Sequence, residues 1–442
     1  MDPPHLQPET LEERIIYWAI AGTWGFYLLG GLYILSPALG WSLALLAVCR
    51  RLGLAESTQI DLKPLPAGIW VWILSMALMA ITLIVGHINF DLGIALTIKS
   101  FIGWMKGWAL MAIFAFIGAA MRVRPAIIYR ASGHLALQTL LITPFLMLAA
   151  KIGLPARLYV SPLQIVGGPG PEFFSVMLYT VEPTTGAARW LFFAPWAPAA
   201  ACIASTAFVF ALFERSAAWK ITGIVAAIAV CLLSQSRMAL VVVPLVLLLT
   251  LVLSNASHPV TFATFAVSTM VTLPFGQLIW QKFETLQNSF ASARASSSRV
   301  RATLQNIAWH RWQNEAPYFG HGTVERGPHL VEYMPIGSHH TWYGLLYVKG
   351  LIGMLTLAIP MAWTLVELTA KAQADRTARC ALGILLVLVM FSFGENLEIL
   401  VYLFWPGMVI VGTAMKRPFR NPYRSRLGSG YSADLKPRYI HA

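Results

Sequence analysis

The sequence predicts an all-α polytopic membrane protein of about twelve transmembrane helices, with one helical domain held outside the membrane. Three observations carry this expectation. The chain is 57% hydrophobic and only 12% charged, where a soluble domain has roughly 25% charged residues. Its apolar residues fall into runs close to the ~20 residues that cross a hydrocarbon core. Its Lys and Arg gather in alternate connections, as expected of a bundle oriented by basic loops.

Taken in order, Met1–Thr10 is polar and proline-rich and lacks a cleavable-signal pattern, so the first span is expected to be retained. Residues 1–14 form a cytoplasmic N-terminus. Candidate spans follow at 15–31, 33–49, 67–86, 104–121, 134–150, 190–213, 219–234, 238–253, 259–279, 341–368, 380–393 and 397–415. The first two share one apolar run, broken at Gly30-Gly31 or at Ser36-Pro37, so the count is eleven or twelve. The first nine spans occupy 15–280 and include an extramembrane segment at 151–189. A large loop covers 281–340, the last three spans 341–415, and a basic tail 416–442. The tail is polar and expected to be disordered.

Twelve spans put both termini on one side. The loops there carry 19 of the 32 Lys and Arg, including Arg14, Arg50, Arg51, Arg122, Arg124, Arg130, Arg215, Lys371 and Arg376. That side is therefore expected to be cytoplasmic, with 151–189, the Ser234–Arg237 turn and 281–340 on the outer side. The net charge of +13 is spread over many short loops. It is read as membrane anchoring, not nucleic-acid binding. Cys49, Cys202, Cys231 and Cys380 are scattered in apolar runs without CxxC spacing, which indicates buried small side chains and no disulfide or zinc site.

The outer segments are the polar part of the chain. Residues 151–189 contain Gly167-Gly168-Pro169-Gly170-Pro171, a turn-rich stretch. Residues 281–340 hold five of the ten histidines, six basic and four acidic side chains. Within them 296–316 predicts a helix: Ser296-Ser297-Ser298 can cap it, and Val300, Leu304, Ile307, Ala308 and Trp312 recur at helical spacing. Pro317 ends it, and Tyr318 to Gly322 reads as a turn.

Several residues could carry chemistry. Arg237 sits in Ser234-Gln235-Ser236-Arg237 on the outer side, where basic residues are disfavoured; its planar fork suits phosphate oxygens. It could equally pin a tight hairpin. Arg299 and Arg301 lie near the start of the outer helix, a natural anion site or a solvated face. Arg189 opens a span and could simply snorkel. His339 and His340 precede a span directly, and a histidine there can act as a general base or as a polar anchor. Adjacent histidines point different ways, so only one is expected to face a site. His310, His321, His329, His339 and His340 form no i, i+4 pair and no HExxH, so no metal site is expected. Glu395 and Glu398 lie in the short outer hairpin between the last two spans. One of them would pair with an outer arginine or orient a histidine.

Taken together, residues 170–415 resemble the O-antigen ligase and O-antigen polymerase superfamily. Arg189 through Pro195 is similar to the family's first outer motif. Ser236-Arg237 looks like its Ser-Arg junction, and Pro317-Tyr318-Phe319-Gly320-His321-Gly322 like its Pro-x-x-Gly-x-Gly turn. His339 is followed eleven positions later by Gly350-Leu351-Ile352-Gly353, as in the family. Two departures stand out. The usual Asn after the histidine is His340 here, which leaves the register of the base open by one. The first motif reads Ala-Pro-Trp in place of Asn-Pro-Asn, which weakens the role of Arg189.

The resemblance implies a metal-independent, cofactor-free membrane glycosyltransferase of the GT-C type in a bacterial inner membrane, with its large loop periplasmic. The donor would be a glycan on undecaprenyl diphosphate. The acceptor would be a lipid A-core sugar for a ligase or a lipid-linked repeat unit for a polymerase. His339 would take the proton from the acceptor hydroxyl. Arg237, Arg299, Arg301 and Arg189, with His340 and Glu395, would line the substrate site and stabilise the departing diphosphate. With no paired carboxylates to suggest a covalent intermediate, transfer would invert the anomeric centre. The rival expectation is a lipid-linked glycan flippase or polysaccharide transporter. Such a protein should line its central spans with charge, whereas here Lys349 and Glu367 are the main exceptions.

Overall fold

The computed structural model describes residues 7–54, 64–182, 186–278, 280–282, 284–285 and 295–420. Residues 1–6 of the expected N-terminus, 421–442 of the basic tail, and 283 and 286–294 of the 281–340 loop lie outside the described residues.

The chain is an all-α polytopic membrane protein. Its helices are α1 (Leu11–Ala21), α2 (Thr23–Leu28), α3 (Leu32–Arg51), α4 (Ala67–Asn89), α5 (Gly93–Lys106), α6 (Trp108–Ala120), α7 (Pro125–Lys151), α8 (Ala197–Phe213), α9 (Ala217–Leu233), α10 (Arg237–Leu253), α11 (Pro259–Thr272), α12 (Ala295–Glu315), α13 (Thr341–Ala372), α14 (Arg376–Ser392) and α15 (Val401–Lys416). Among the described residues, six helical stretches are long and apolar enough to cross a bilayer, and α8, α9, α10 and α15 are shorter apolar helices.

The expected continuous span 15–31 is instead two helices, α1 and α2, joined at Gly22. The second break falls at Gly30-Gly31, where Gly30 has a left-handed φ of 65°. Pro37 lies inside α3. Apolar composition is the same on both sides of Gly22 and Gly30, so hydropathy alone joins what backbone geometry separates.

The core gathers α4, α6, α8, α13, α14 and α15. Lipid tails compete with any apolar side chain, so helices in a bilayer gain most from close backbone approach at small residues. The α6–α15 contact is built this way. A Cβ on Gly412 would lie 1.8 Å from the Ala115 carbonyl oxygen, and one on Gly118 would lie 2.0 Å from that of Val409.

The 151–189 segment, expected only as turns, contains two short antiparallel pairs: β1 (Arg157–Val160) with β2 (Ser175–Met177), and β3 (Thr180–Val181) with β4 (Ala188–Arg189). It covers an aromatic cluster of Trp24, Tyr27, Tyr33, Phe173, Phe174, Phe192, Phe193 and Tyr402.

The outer helix expected at 296–316 is α12. Its described residues begin at Ala295, so positions 296–298, expected just ahead of the helix, lie within it. Arg299 and Arg301 follow on the same helix. Val300, Leu304 and Ala308 pack with Val331, Ile336 and Tyr347, which docks α12 on the start of α13.

α13 is broken at Gly350 (φ 64°, ψ −167°), a conformation essentially restricted to glycine. The segment 317–322 lies along the break. Leu351 and Ile352 donate their N–H groups to the carbonyls of Pro317 and Tyr318, and His321 and Gly322 donate to those of Tyr347 and Val348. The amides and carbonyls freed by the break are thus paired with the loop, as buried backbone requires.

Candidate active site

The side chains of interest meet where four connections converge: the start of α8, the α9–α10 turn, the loop entering α13 and the α14–α15 connection. Thr341 Oγ1 donates to the Glu395 carbonyl (2.7 Å) and accepts from Leu397 N (3.1 Å). Trp342 Nε1 donates to Ser392 Oγ (2.9 Å). These bonds fix the first turn of α13 on the α14–α15 connection. A Cβ on Gly394 would meet the Met238 sulfur at 2.9 Å, so the first turn of α10, which begins with Arg237, packs on the same connection.

Glu395 is at the centre and is 1% exposed. Its Oε2 accepts from Trp196 Nε1 (2.9 Å). Its Oε1 faces Arg301 Nη2 at 3.8 Å and accepts no hydrogen bond among the described residues. Burial pushes the carboxyl up to about 7, and the Arg301 charge and the Trp196 indole pull in the other direction.

The two adjacent histidines differ. His340 is the N-cap of α13: its Nδ1 accepts from Tyr343 N (3.4 Å), and its ring packs edge-on against Tyr343 and Phe393. His339 is half-buried and makes no hydrogen bond among the described residues. Burial pushes its imidazole down to about 4, and the nearby Arg301 guanidinium adds to the shift. Its ring is therefore neutral at physiological pH, with a lone pair available.

The arginines divide as well. Arg301 reaches Glu395, whereas Arg299 is exposed on α12 and is not drawn into the cluster. Arg189 ion-pairs with Glu182 (2.5 Å) and donates to the Ser234 carbonyl from Nε (3.4 Å) and Nη2 (3.2 Å). It clasps the 151–189 segment to the α9–α10 turn, beside Arg237.

Two contributors were not foreseen. Trp196 occupies the position read only as a departure from Asn-Pro-Asn, yet its indole N–H holds Glu395. Thr341 bridges two backbone groups. The signal for Trp196 was a polar-tipped aromatic immediately before a helix, where a buried N–H needs an acceptor. His321, read as part of a turn, has both ring nitrogens facing acceptors, the Tyr347 carbonyl and the Glu315 carboxylate, and stacks on Tyr347 at 4.3 Å. It serves the loop's own packing.

Residues 222–358 match the family model described as O-antigen ligase. The match runs from α9 into α13 and includes Arg237, Arg299, Arg301, His339 and His340. No curated protein matches the sequence. Matched over the segment that carries these residues, in a helical membrane bundle, the chain is similar to the O-antigen ligase family, and the match supports a membrane enzyme of the ligase and polymerase type.

Proposed function

We propose that the protein transfers a glycan from undecaprenyl diphosphate to a sugar hydroxyl, with His339 as general base and Arg237 and Arg301 facing the diphosphate. The observation that carries this reading is the contrast between the two histidines: His340 is occupied in capping α13, while His339 is neutral and uncommitted beside a cation. A hydroxyl is a weak nucleophile and needs a base in the transition state. A diphosphate is a strong leaving group and needs cations. The acceptor proton would pass to the His339 imidazole as the oxygen attacks the anomeric carbon, with departure of the diphosphate from the opposite face and inversion of that centre. Arg237, at the head of α10, would supply a bidentate fork to the phosphate oxygens. Arg301 would exchange its long contact with Glu395 for the incoming anion. Arg189 would hold the turn that presents Arg237.

The test is reconstitution in proteoliposomes with a lipid-diphosphate glycan and two acceptors, a lipid A-core and a lipid-linked repeat unit. Product on one acceptor assigns ligase or polymerase. His339→Ala should lower transfer by about 10²- to 10⁴-fold, with normal insertion and accumulation. Wild-type transfer by that variant would refute the base assignment, and a His340→Ala variant with the larger loss would move the base by one residue.

A further inference from the structure

A cavity of about 700 Å³ borders the α14–α15 connection, with Glu398 and Ile399 in its lining. Its lining includes Lys99 and Lys106 on α5, Gly167 from the 151–189 segment, Thr323 from the large loop, and Glu398. Its size falls within the roughly 300–1,000 Å³ of small-molecule sites. Glu395 faces Trp196 and Arg301, and Glu398, three residues on, faces the cavity beside Gly107.

The charges in this cavity have a pattern. Lys99 and Lys106 are seven residues apart, two turns on one face of α5. Lys106 Nζ is fixed at the rim by the Val166 and Gly167 carbonyls (3.1 Å each). Lys99 makes no hydrogen bond or ion pair among the described residues, and neither does the Glu398 carboxylate. A simple anion would meet the ammonium groups and leave Glu398 without a donor. A polyhydroxylated anion serves both, because its hydroxyls donate to Glu398 and to exposed carbonyls while its charge meets the ammonium groups.

We propose that this cavity is a glycan subsite selective for an acidic saccharide, with Lys99 and Lys106 meeting its carboxylate or phosphate and Glu398 accepting from its hydroxyls. The proposal rests on the glycosyl-transfer reading, and the acidic sugar belongs either to the donor glycan or to the acceptor.

The test uses the full chain in nanodiscs of zwitterionic lipid. Equilibrium binding of tetragalacturonate is measured against neutral maltotetraose. The acidic probe should bind, the neutral one should bind at least about tenfold more weakly, and Lys99→Ala should remove about tenfold of the acidic affinity. His339→Ala should bind the probe as wild type does. Equal binding of the two probes, an unchanged affinity in Lys99→Ala, or complete displacement of the probe by phosphatidylglycerol would overturn the subsite. In the transfer assay, Lys99→Ala should raise KM for the donor or for the acceptor, which names the source; an unchanged KM for both counts against the proposal. If wild-type protein transfers nothing yet binds tetragalacturonate selectively, the transfer reading fails and the subsite stands. If transfer proceeds without selective binding, the subsite alone fails.

Discussion

The two ends of the bundle treat buried charge in opposite ways. At the end bearing the termini, acids are matched to bases. Arg130 pairs with Glu214, both nearly fully buried, and Trp219 lies against the guanidinium. Arg124 pairs with Glu13, Lys371 with Glu367 and the Met415 carbonyl, and Arg417 with Asp375. At the end bearing the large loop, Glu395 keeps one oxygen unbonded, Arg301 stands off at 3.8 Å, and His339 has no hydrogen-bond partner among the described residues. A buried charge left without a full complement costs stability. Its persistence around Glu395 marks this cluster as a place where another molecule can complete the set.

The comparison breaks most sharply if the paired end turns out to be functional. Glu214→Ala should destabilise the protein by about 3–5 kcal/mol, because Arg130 is left buried and uncompensated. Transfer per folded molecule should stay at the wild-type level. Denaturant unfolding in detergent, paired with the transfer assay, checks both, and a selective loss of transfer would contradict the division.

At the other end the signs reverse. Arg237→Ala should cut transfer by about 10²–10³-fold, the range for removing one donor that stabilises transition-state charge. Arg237→Lys should restore only part, since the planar fork is lost. Full rescue by lysine would reduce Arg237 to a point charge.

Gly350→Ala sharpens the link between loop and bundle. Its φ of 64° is strained for any other residue, and a Cβ there would lie 2.4 Å from the Tyr318 carbonyl oxygen. The cost should be at least about 1–3 kcal/mol. Limited proteolysis should then cut within 317–322 faster than in the wild type; an unchanged pattern would show that the loop holds without the break.

The smallest effect is a pH dependence. Burial raises the Glu395 carboxyl from 4.5 to about 7, so the folded protein binds this proton more tightly than the unfolded chain. The resulting stabilisation is fully present below pH 4.5 and is lost as pH rises through about 7, by about 3 kcal/mol at most. Glu395→Gln mimics the protonated form. Wild-type Tm should fall between pH 5 and pH 8 relative to this variant, and parallel curves for the two would sink the assignment.

The sequence made the membrane class and the outer helix legible, because both rest on local signals, apolar run length and 3.6-residue spacing. Expected at 296–316, α12 is found at 295–315. The break at Gly350 was not legible. Gly350-Leu351-Ile352-Gly353 is apolar throughout, and only a distant segment, 317–322, fixes the left-handed turn. The same limit applies to the site. Arg299 and Arg301 are equivalent by composition, and the Glu395 carboxylate nearly a hundred residues away distinguishes them. Likewise, His339 and His340 were separable only once the α13 N-cap was seen.

The broken helix also sets a depth. At 1.5 Å per residue, the 32 residues of α13 rise about 48 Å, roughly 18 Å more than a hydrocarbon core of ~30 Å. The part from Gly350 to Ala372, roughly 34 Å, spans that core by itself. The part from Thr341 to Lys349 is about 14 Å long and accounts for most of the excess. In the proposed transfer, that extra length would lift His339 clear of the acyl chains to the level of lipid headgroups, where a diphosphate on a membrane-anchored carrier would be found and a sugar hydroxyl could arrive through water.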